Sequence, residues 1–242
     1  MDIRIGTAGW SIPPRHADLY PAEGSHLERY AALFDTVEIN SSFYRPHRRT
    51  TYVRWADTVP ETFRFSVKFP RTITHEHKLA DTDELIAAFL DGVTGLRQKL
   101  GPLLIQLPPR LVFDHHRVAH FMETLRAQFD GALACEPRHP SWASDAAEDL
   151  LRDYQVARVD ADPAVIPVIN RTSSNAPLHY IRLHGAPEIY VSAYDDAFIA
   201  ALANRIEKLD APVWCIFDNT AWGAASDDGR RLKAALTARI QK

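Results

Sequence analysis

Cysteine is scarce in this chain, and its scarcity excludes several classes of protein. The 242 residues include two cysteines, Cys135 and Cys215, which lie far apart within apolar runs. Two separated cysteines do not form the framework of a disulfide-rich secreted domain, nor the paired clusters of a zinc ribbon. We therefore expect two buried free thiols in a reducing compartment.

An excess of charge of one sign is also missing. Lys and Arg total 28 and Asp and Glu total 31, so the formal net charge is −3. Because there is no global basic excess, binding to nucleic acid or to a membrane surface would need a local patch.

Long hydrophobic runs are absent as well. No stretch approaches the roughly 18 apolar residues that cross a bilayer, and the N-terminal MDIRIGTAGW lacks the apolar core of a secretion signal. We therefore expect a cytoplasmic protein without a membrane partner. The chain has no HExxH motif, clustered cysteines or glycine-rich phosphate loop, so no cofactor is predicted.

The chain does contain a regular alternation of short apolar segments and helix-like segments. Hydrophobic residues make up 46% and charged residues 24%, which is typical of a globular protein. Eight predicted strand ends recur about every 30 residues, the length of one strand and one crossover helix. This pattern predicts a single domain over residues 1–242 of the α/β class, a (β/α)8 TIM-like barrel. The predicted strands are Ile3–Gly6, Val37–Asn40, Phe63–Lys68, Leu103–Gln106, Leu133–Glu136, Val156–Asp160, Tyr180–His184 and Val213–Asp218.

Helix-like segments fill most of the intervals between these strands. The predicted helices are Asp81–Leu100, His115–Phe129, Trp142–Tyr154, Ala197–Leu209 and Asp227–Ile240. One interval differs, because residues 161–177 carry three prolines and no helical period. Since proline interrupts helices, we expect an irregular loop there in place of the sixth crossover helix.

The alternation of apolar residues predicts which strand residues face the barrel interior. In the third strand, Phe65 and Val67 should face the helices, which turns Ser66 and Lys68 inward. The same rule predicts that nearly every strand ends in an inward polar residue. These residues are Glu38, Asn40, Gln106, Glu136, Asp160, Arg182, His184 and Asp218. Barrel enzymes place their catalytic groups at this C-terminal mouth.

Such a ring of polar residues has two interpretations. It is either a functional site or a self-satisfied structural network, for instance with Glu38–Lys68 and Glu136–Arg182 ion pairs. An unpaired buried charge costs several kcal/mol. The coincidence of so many polar strand ends therefore favours a site.

As an enzyme site, the ring offers four candidates for acid–base catalysis, namely Glu38, Lys68, Glu136 and His184. Lys68 would act as a general base, a Schiff-base amine or an oxyanion partner. His184 would carry protons near neutral pH, or it is a satisfied wall residue. Arg138 and Arg182 would orient a carboxylate or a phosphate. The other candidate substrate-binding residues are Trp10, Asn40, Tyr44, His75, Gln106, His139, Trp142, Asp218 and Asn219.

Basic and aromatic residues crowd the loops that follow several of these strands. Two of these loops are Phe43–Arg49 and Arg138–Trp142. They favour a small anionic partner, phosphorylated or not. The alternative is a nucleic-acid-binding or processing protein that stacks bases on the same loops. A third hypothesis is a barrel that senses a small ligand without converting it.

A divalent metal is a further alternative, although no metal ligand is assigned. His75, His77 and His139 are among the residues available to it, but His75 and His77 are two positions apart on a predicted loop and match no common metal motif. The oligomeric state is not indicated by the sequence.

Seven segments of the chain form an ordered set of motifs. They are GTAGW at Gly6–Trp10, EINSSFYR at Glu38–Arg45, FSVKFPRTITHEHKL at Phe65–Leu79, LIQLPP at Leu104–Pro109, EPRHPSW at Glu136–Trp142, YIRLHG at Tyr180–Gly185 and FDNTAWGAA at Phe217–Ala225. Together they resemble the YecE-like family, also known as domain of unknown function 72. The resemblance implies a (β/α)8-like barrel with a site at its mouth, and it implies no particular reaction.

Overall fold

Eight parallel strands form the sheet at the centre of the protein. The computed structural model describes residues 2–164, 166 and 177–240. The strands are β1 (Ile3–Thr7), β2 (Thr36–Ile39), β3 (Arg64–Lys68), β4 (Leu100–Gln106), β5 (Leu133–Glu136), β6 (Val156–Asp162), β7 (His179–Leu183) and β8 (Val213–Phe217). Their order is β1-β8-β7-β6-β5-β4-β3-β2, so sequence neighbours lie side by side. The predicted TIM-like barrel is therefore confirmed.

The helices pack around this barrel. They are α1 (His26–Ala31), α2 (Ser41–Tyr44), α3 (Arg49–Thr58), α4 (Asp83–Val93), α5 (His115–Arg126), α6 (Asp145–Asp153), α7 (Asp196–Ile206) and α8 (Ala224–Ile240). Shorter helical turns span Pro14–Leu19, Thr72–Glu76, Thr94–Lys99 and Pro140–Trp142. Side-chain caps satisfy free N–H groups at helix starts. Ser144 accepts from the Ala147 N–H before α6, and Asp195 accepts from the Phe198 N–H before α7.

The barrel is nearly closed, because the described backbone pairing of β1 with β2 lies just beyond the C-terminal end of β1. There, Ala8 forms an isolated parallel bridge with Glu38. The Gly9 N–H also donates to the Glu38 carbonyl at 2.8 Å. The last joint of the barrel therefore lies directly beside one of the predicted site residues.

A tyrosine from α1 joins the same two strands lower down. The Tyr30 hydroxyl accepts from the Thr7 N–H at 2.9 Å and donates to the Thr36 carbonyl at 3.0 Å. The two strands also approach closely at Gly6, where a Cβ atom would lie 2.2 Å from the Thr36 oxygen. A side chain thus replaces part of a backbone ladder at this seam, and glycine permits the close contact.

The predicted helix Asp81–Leu100 is shorter in the structure. α4 ends at Val93, a 3-10 turn follows, and β4 already begins at Leu100. At Arg97 the backbone has a φ of 53°, which a right-handed helix does not continue through. Gly101, which follows the predicted helix in the sequence, lies inside the strand.

The predicted inward direction of Asp160 is wrong. Asp160 lies on the outer face of β6 and pairs with Arg205 of α7 at 2.7 Å. Ala157, Val159 and Ala161 occupy the inner face and join the apolar interior of the barrel. Of the irregular loop predicted over residues 161–177, residues 165 and 167–176 lie outside the described residues, so that expectation stays a prediction.

Apolar side chains fill two layers of core. Phe65 and Val67 are buried between strands and helices, as the alternation predicts. Inside the barrel, Tyr180 and Trp214 belong to a separate apolar cluster, and Ser66 shares a 2.6 Å hydrogen bond with the Tyr180 hydroxyl. This interior cluster forms the base on which the polar strand ends rest.

Two other expectations concern the cysteines and the membrane. Cys135 and Cys215 are free and buried, as predicted. Within residues 2–164, 166 and 177–240, no helix has both the length and the hydropathy needed to cross a membrane.

Candidate functional site

Arg182, on β7, lies fully buried at the centre of a group of charged side chains. Its Nε and Nη2 donate to the two carboxylate oxygens of Glu38 at 3.0 and 2.8 Å. Nη1 donates to Glu136 at 2.7 Å, and Nη2 also donates to Asp218 at 3.1 Å. Burial lowers the pKa of this guanidinium, but the three carboxylates raise it well above its usual value. We name Glu38, Glu136, Arg182, His184 and Asp218 the mouth cluster.

Glu136, on β5, is a carboxylate whose two oxygens are both occupied. Oε1 accepts from Arg138 Nη2 at 2.8 Å and interacts with His184 Nε2 at 3.0 Å. Oε2 accepts from Gln106 Nε2 at 2.9 Å and from Arg182 Nη1 at 2.7 Å. Burial raises the pKa of Glu136, but the positive Arg182 and the bond from His184 hold it well below its usual value. This arrangement suits a fixed counter-ion better than a carrier of protons.

Glu38, on β2, lies below the mouth with no access to solvent. Its carboxylate is fully buried, and besides Arg182 it accepts from the Tyr180 hydroxyl at 2.9 Å. The ion pair considered between Glu38 and Lys68 does not form, because Arg182 occupies both oxygens. The ion pair considered between Glu136 and Arg182 does form. The structural-network interpretation therefore holds for this deep part of the cluster.

His184 bridges two acids just after β7. Its Nδ1 lies 3.0 Å from Asp218 Oδ2, and its Nε2 lies 3.0 Å from Glu136 Oε1. Burial lowers the pKa of the ring, but the bonds to Asp218 and Glu136 outweigh it and raise the pKa above its usual value. For Asp218 burial acts in the opposite direction and raises the pKa, but the charge of Arg182 outweighs it and brings the pKa of Asp218 below its usual value. The pair favours an imidazolium that donates to two carboxylates.

Lys68, at the end of β3, is bound differently from the other charged groups. Its Nζ lies 4.3 Å from the centre of the Phe43 ring. No hydrogen bond or ion pair joins this Nζ to another residue in the described part of the chain, although the negative charges of Glu38, Asp218 and Glu136 act on it. Burial and the nearby Arg182 lower the pKa of this amine to about 8. Lys68 therefore exchanges a proton near neutral pH and has no fixed partner.

Two basic residues lie at the rim above the cluster. Arg138 donates through Nε and Nη2 to Glu136, and its Nη2 also lies 3.3 Å from His184 Nε2. Among the residues described, no hydrogen bond engages its Nη1. His75 lies against the edge of Phe43 at 4.9 Å. Burial, Lys68 and Arg71 lower the pKa of His75 to about 4, so it is neutral at pH 7.

Two further predicted residues lie near the mouth and differ in exposure. The Oδ1 of Asn40 is buried and has no hydrogen-bond partner in the described residues. Tyr44 is 70% exposed and contacts Phe43 edge-on at 5.0 Å. Tyr44 is therefore a surface feature of the rim rather than part of the cluster.

Four predicted residues are not brought to the mouth cluster. Trp10 packs on Trp55 with ring centres 5.0 Å apart. His139 caps the turn Pro140–Trp142 through the Ser141 N–H, and Trp142 is fully buried with its Nε1 donating to the Leu111 carbonyl.

Asn219 is also fully buried. Its Nδ2 donates to the Ser192 carbonyl at 2.9 Å and to Asp228 at 2.7 Å. These bonds tie the segment after β8 to α8. In this arrangement Asn219 supports the loop through Nδ2, while its buried Oδ1 has no hydrogen-bond partner among the described residues.

Two residues of the site were not among the predicted site residues. Tyr180 donates to Glu38. It lies two residues before Arg182 on β7, so strand alternation puts both side chains on the inward face and could have identified Tyr180. Phe43 covers Lys68 from the short helix α2. It was noted only as part of a basic and aromatic loop, because no periodicity predicts which loop side chain folds back.

A cavity lies beside the cluster rather than on it. It has a volume of about 540 Å³ and lies between the loops after β1 and β8. Its lining includes Gly9, Pro13, Thr220, Trp222 and Ser226. Among the described residues, no charged side chain of the mouth cluster lines it, so the cluster rather than this cavity carries the ionisable chemistry.

A metal centre finds no support in the geometry. Within residues 2–164, 166 and 177–240, no three His, Cys, Asp or Glu side chains are arranged to hold a metal ion.

The fold and the cluster together define a class of protein, a (β/α)8-type barrel with ionisable side chains gathered at its C-terminal mouth. The chain belongs to the family described as protein of unknown function DUF72, whose model matches residues 4–242. The resemblance drawn from the sequence motifs is thereby confirmed.

Two curated relatives are similar to this chain in sequence. The UPF0759 protein YecE of Escherichia coli K12 is 31% identical over 151 residues, which are 61% of this chain and 52% of YecE. The chain therefore spans about half the length of that relative. The UPF0759 protein YunF of Bacillus subtilis 168 is 25% identical over 271 residues, covering 97% of this chain and 94% of YunF.

Solved structures support the fold alone. A DUF72 family protein from Thermotoga maritima MSB8 superposes with a TM-score of 0.82 at 24% identity, covering 98% of this chain and 100% of that one. A DUF72 family protein from Enterococcus faecalis V583 gives 0.81 at 24%, covering 97% and 95%. An N-acetylneuraminate lyase from Fusobacterium nucleatum gives 0.54 at 13%, covering 99% and 76%.

Proposed function

We propose that this protein is an enzyme that acts on a small anionic molecule by acid–base chemistry at the mouth of the barrel. The observation that carries the proposal is Lys68, a buried amine without a fixed partner beside a saturated charge network. A structural lysine would be expected to hold hydrogen bonds. Lys68 instead keeps its Nζ available to a bound molecule.

Two groups supply the proton chemistry. Lys68, with a pKa of about 8, changes its charge near the pH at which most enzymes work, which suits a general base. His184 carries a proton that Asp218 and Glu136 stabilise. Glu38 and Glu136 are better suited to holding Arg182 in place than to exchanging protons.

Charge balance favours an anionic ligand. Three carboxylates face two guanidinium groups, one amine and the His184 ring; the residues are Glu38, Glu136, Asp218, Arg138, Arg182, Lys68 and His184. With Lys68 and His184 protonated, one positive charge is in excess. Arg182 is fully bound by acids, so Arg138 Nη1 is the group left to receive a carboxylate or phosphate oxygen.

A ligand screen tests this proposal. Thermal unfolding is followed with inorganic phosphate, sugar phosphates and small carboxylates, and each stabilising compound is assayed for conversion by NMR. We expect Lys68→Met and Arg138→Gln to lose the stabilisation, whereas Lys208→Met, at an exposed residue, should keep it. Equal stabilisation of all variants would contradict a site at the mouth. Binding without conversion would favour a ligand sensor, and an effect of EDTA would indicate a divalent metal.

Nucleic-acid binding is the second candidate, and one observation favours it. Tyr44 is 70% exposed beside the exposed Arg45 and Arg48, which is an arrangement that stacks a base and contacts phosphates. Titration with single-stranded DNA and RNA at increasing salt tests it. This candidate predicts a salt slope of several phosphates that Tyr44→Ala and Arg48→Ala weaken. Affinity that does not change with salt would exclude it.

A further inference from the structure

A second buried lysine, Lys99, provides a comparison for the environment of Lys68. Lys68 is 6% exposed and Lys99 is 7% exposed. Lys99 donates to the carbonyls of Ala56 and Val59, both at 2.8 Å. The Lys68 Nζ contacts the Phe43 ring and has no such bond to any described residue. At the same degree of burial, hydrogen bonds thus hold the Lys99 amine in place, whereas the Lys68 amine is free to react.

A free amine becomes a nucleophile once it loses its proton. The pKa of Lys68 is about 8, so about half of it is neutral at pH 8, against less than about 1% of an ordinary lysine. The Phe43 ring covers one side of the Nζ. An attack on an electrophile is therefore open to Lys68 at a pH where other lysines are protonated.

The electrophile has to match the free groups nearby. The Lys68 Nζ and the His75 ring both contact Phe43, and Arg138 is bound to Glu136 at the same mouth of the barrel. Arg138 Nη1 is available for a carboxylate or phosphate. A carbonyl group close to such an anion brings its carbon to the amine while the anion binds the guanidinium.

We therefore infer that Lys68 forms a Schiff base with the carbonyl carbon of a small anionic aldehyde or 2-oxo acid. The inference rests on the proposed function, because it names the substrate class of the same site. It converts Lys68 from a proton carrier into a covalent participant, and the two roles are separable by experiment.

The reaction balances without an oxidant or reductant. The lone pair of Nζ adds to the carbonyl carbon as the C=O π bond breaks, and the oxygen takes a proton. Loss of this oxygen as water leaves a C=N bond, so both hydrogens of the neutral amine end on the departing water. The protons pass from the amine to the oxygen through solvent, because both ring nitrogens of His184 are engaged by Asp218 and Glu136.

Reductive trapping tests the inference on the full chain. The protein is incubated with glyoxylate at pH 8 and then with borohydride, which reduces an imine to a stable carboxymethyl amine. Peptide mass spectrometry then compares the six lysines of the sequence. We expect Lys68 to be labelled at least about tenfold faster than the exposed Lys208, because its amine is neutral at this pH, and we expect the buried Lys99 to stay unlabelled.

Two variants and a neutral probe give the controls. Arg138→Gln should slow labelling by glyoxylate more than labelling by propionaldehyde, since only glyoxylate carries an anion. Lys68→Arg should remove the principal label while it keeps the positive charge. Labelling of Lys68 no faster than Lys208 overturns the Schiff base. If Lys68 is not labelled faster but glyoxylate still raises the thermal unfolding temperature, and Arg138→Gln removes this stabilisation, the proposed function stands without the Schiff base. If glyoxylate gives no stabilisation either, the Schiff base and the proposed function are both wrong.

Discussion

Lys68 and Lys99 are buried to almost the same degree, yet their surroundings differ. The Lys99 ammonium group contacts two main-chain carbonyls and, at 3.4 Å, the carboxylate of Glu61. The Lys68 ammonium group contacts the face of Phe43. Arg182 is the extreme case of a partnered cation, because three carboxylates surround it. The molecule therefore buries cations both with and without partners.

The presence or absence of hydrogen-bond partners separates buried cations that stabilise the fold from buried cations that lower its stability. A buried cation with hydrogen bonds recovers much of the free energy lost on leaving water. A buried cation without them does not, so the fold retains Lys68 at a cost that ligand binding can offset. Burial alone therefore does not identify a charged residue that serves function. Burial without hydrogen-bond partners is the better indication of such a residue.

Replacing Arg182 should have the largest effect on stability. Arg182→Met leaves Glu38, Glu136 and Asp218 as buried carboxylates without their common partner. We expect the free energy of unfolding in urea to fall by about 3–5 kcal/mol. Arg182→Lys, which keeps the charge but loses the planar donors, should lose less. A loss below about 1 kcal/mol for Arg182→Met would mean that the cluster does not support the fold.

The pH dependence of Lys68 should be the next largest effect. Its pKa is about 8 in the folded chain against a usual 10.5, so the unfolded chain holds the extra proton between these values. Stability relative to Lys68→Met should therefore be lowest below pH 8 and rise towards pH 10.5, by roughly 3 kcal/mol. Urea unfolding of both proteins across this window measures it. A difference that does not vary with pH would contradict the lowered pKa.

The same substitution at the two lysines should act in opposite directions. At pH 7, Lys99→Met leaves the Ala56 and Val59 carbonyls without donors, so we expect a loss of about 1–3 kcal/mol. Lys68→Met removes a cation without partners, so the free energy of unfolding should stay the same or rise. Each variant serves as the control for the other, and equal losses would remove the distinction between the two sites.

His184 should give the smallest effect, with the opposite pH trend. Its pKa is raised above 6.5 in the folded protein, so its contribution is complete below the unfolded pKa and is lost as pH rises through the folded pKa. We expect His184→Gln to cost about 1 kcal/mol in acidic solution and less in alkaline solution. Chemical unfolding across both sides of neutrality checks this, and a cost that grows with pH would contradict it.

Strand alternation predicted the barrel and several directions within it. It worked at β3, where apolar Phe65 and Val67 alternate with polar Ser66 and Lys68. It failed at β6, because the small Ala157 and Ala161 face the barrel interior while the charged Asp160 lies outside. Alanine fits a crowded interior and an exposed face equally well, so its position gives little information on direction.

Pairing within the cluster was harder to predict than direction. Alternation placed Glu38, Lys68 and Arg182 on the same inner face but did not identify their partners. The long, forked guanidinium of Arg182 reaches Glu38 across the barrel. This excludes the Glu38–Lys68 pair considered from the sequence, whereas the Glu136–Arg182 pair forms. Loop residues such as Trp142 were harder still, since no repeat in the sequence indicates whether a loop side chain is buried.

The Tyr30 hydroxyl that joins β1 and β2 gives the barrel a weak point. Elsewhere, separating neighbouring strands breaks a series of backbone hydrogen bonds, but here the N-terminal part of the joint depends on one phenol. Breathing motions of the barrel should begin at this seam, and the amide of Thr7 should exchange with deuterium sooner than its counterparts in the other strands. Because Glu38 lies at the same joint, such motions reach the charges around Arg182 directly.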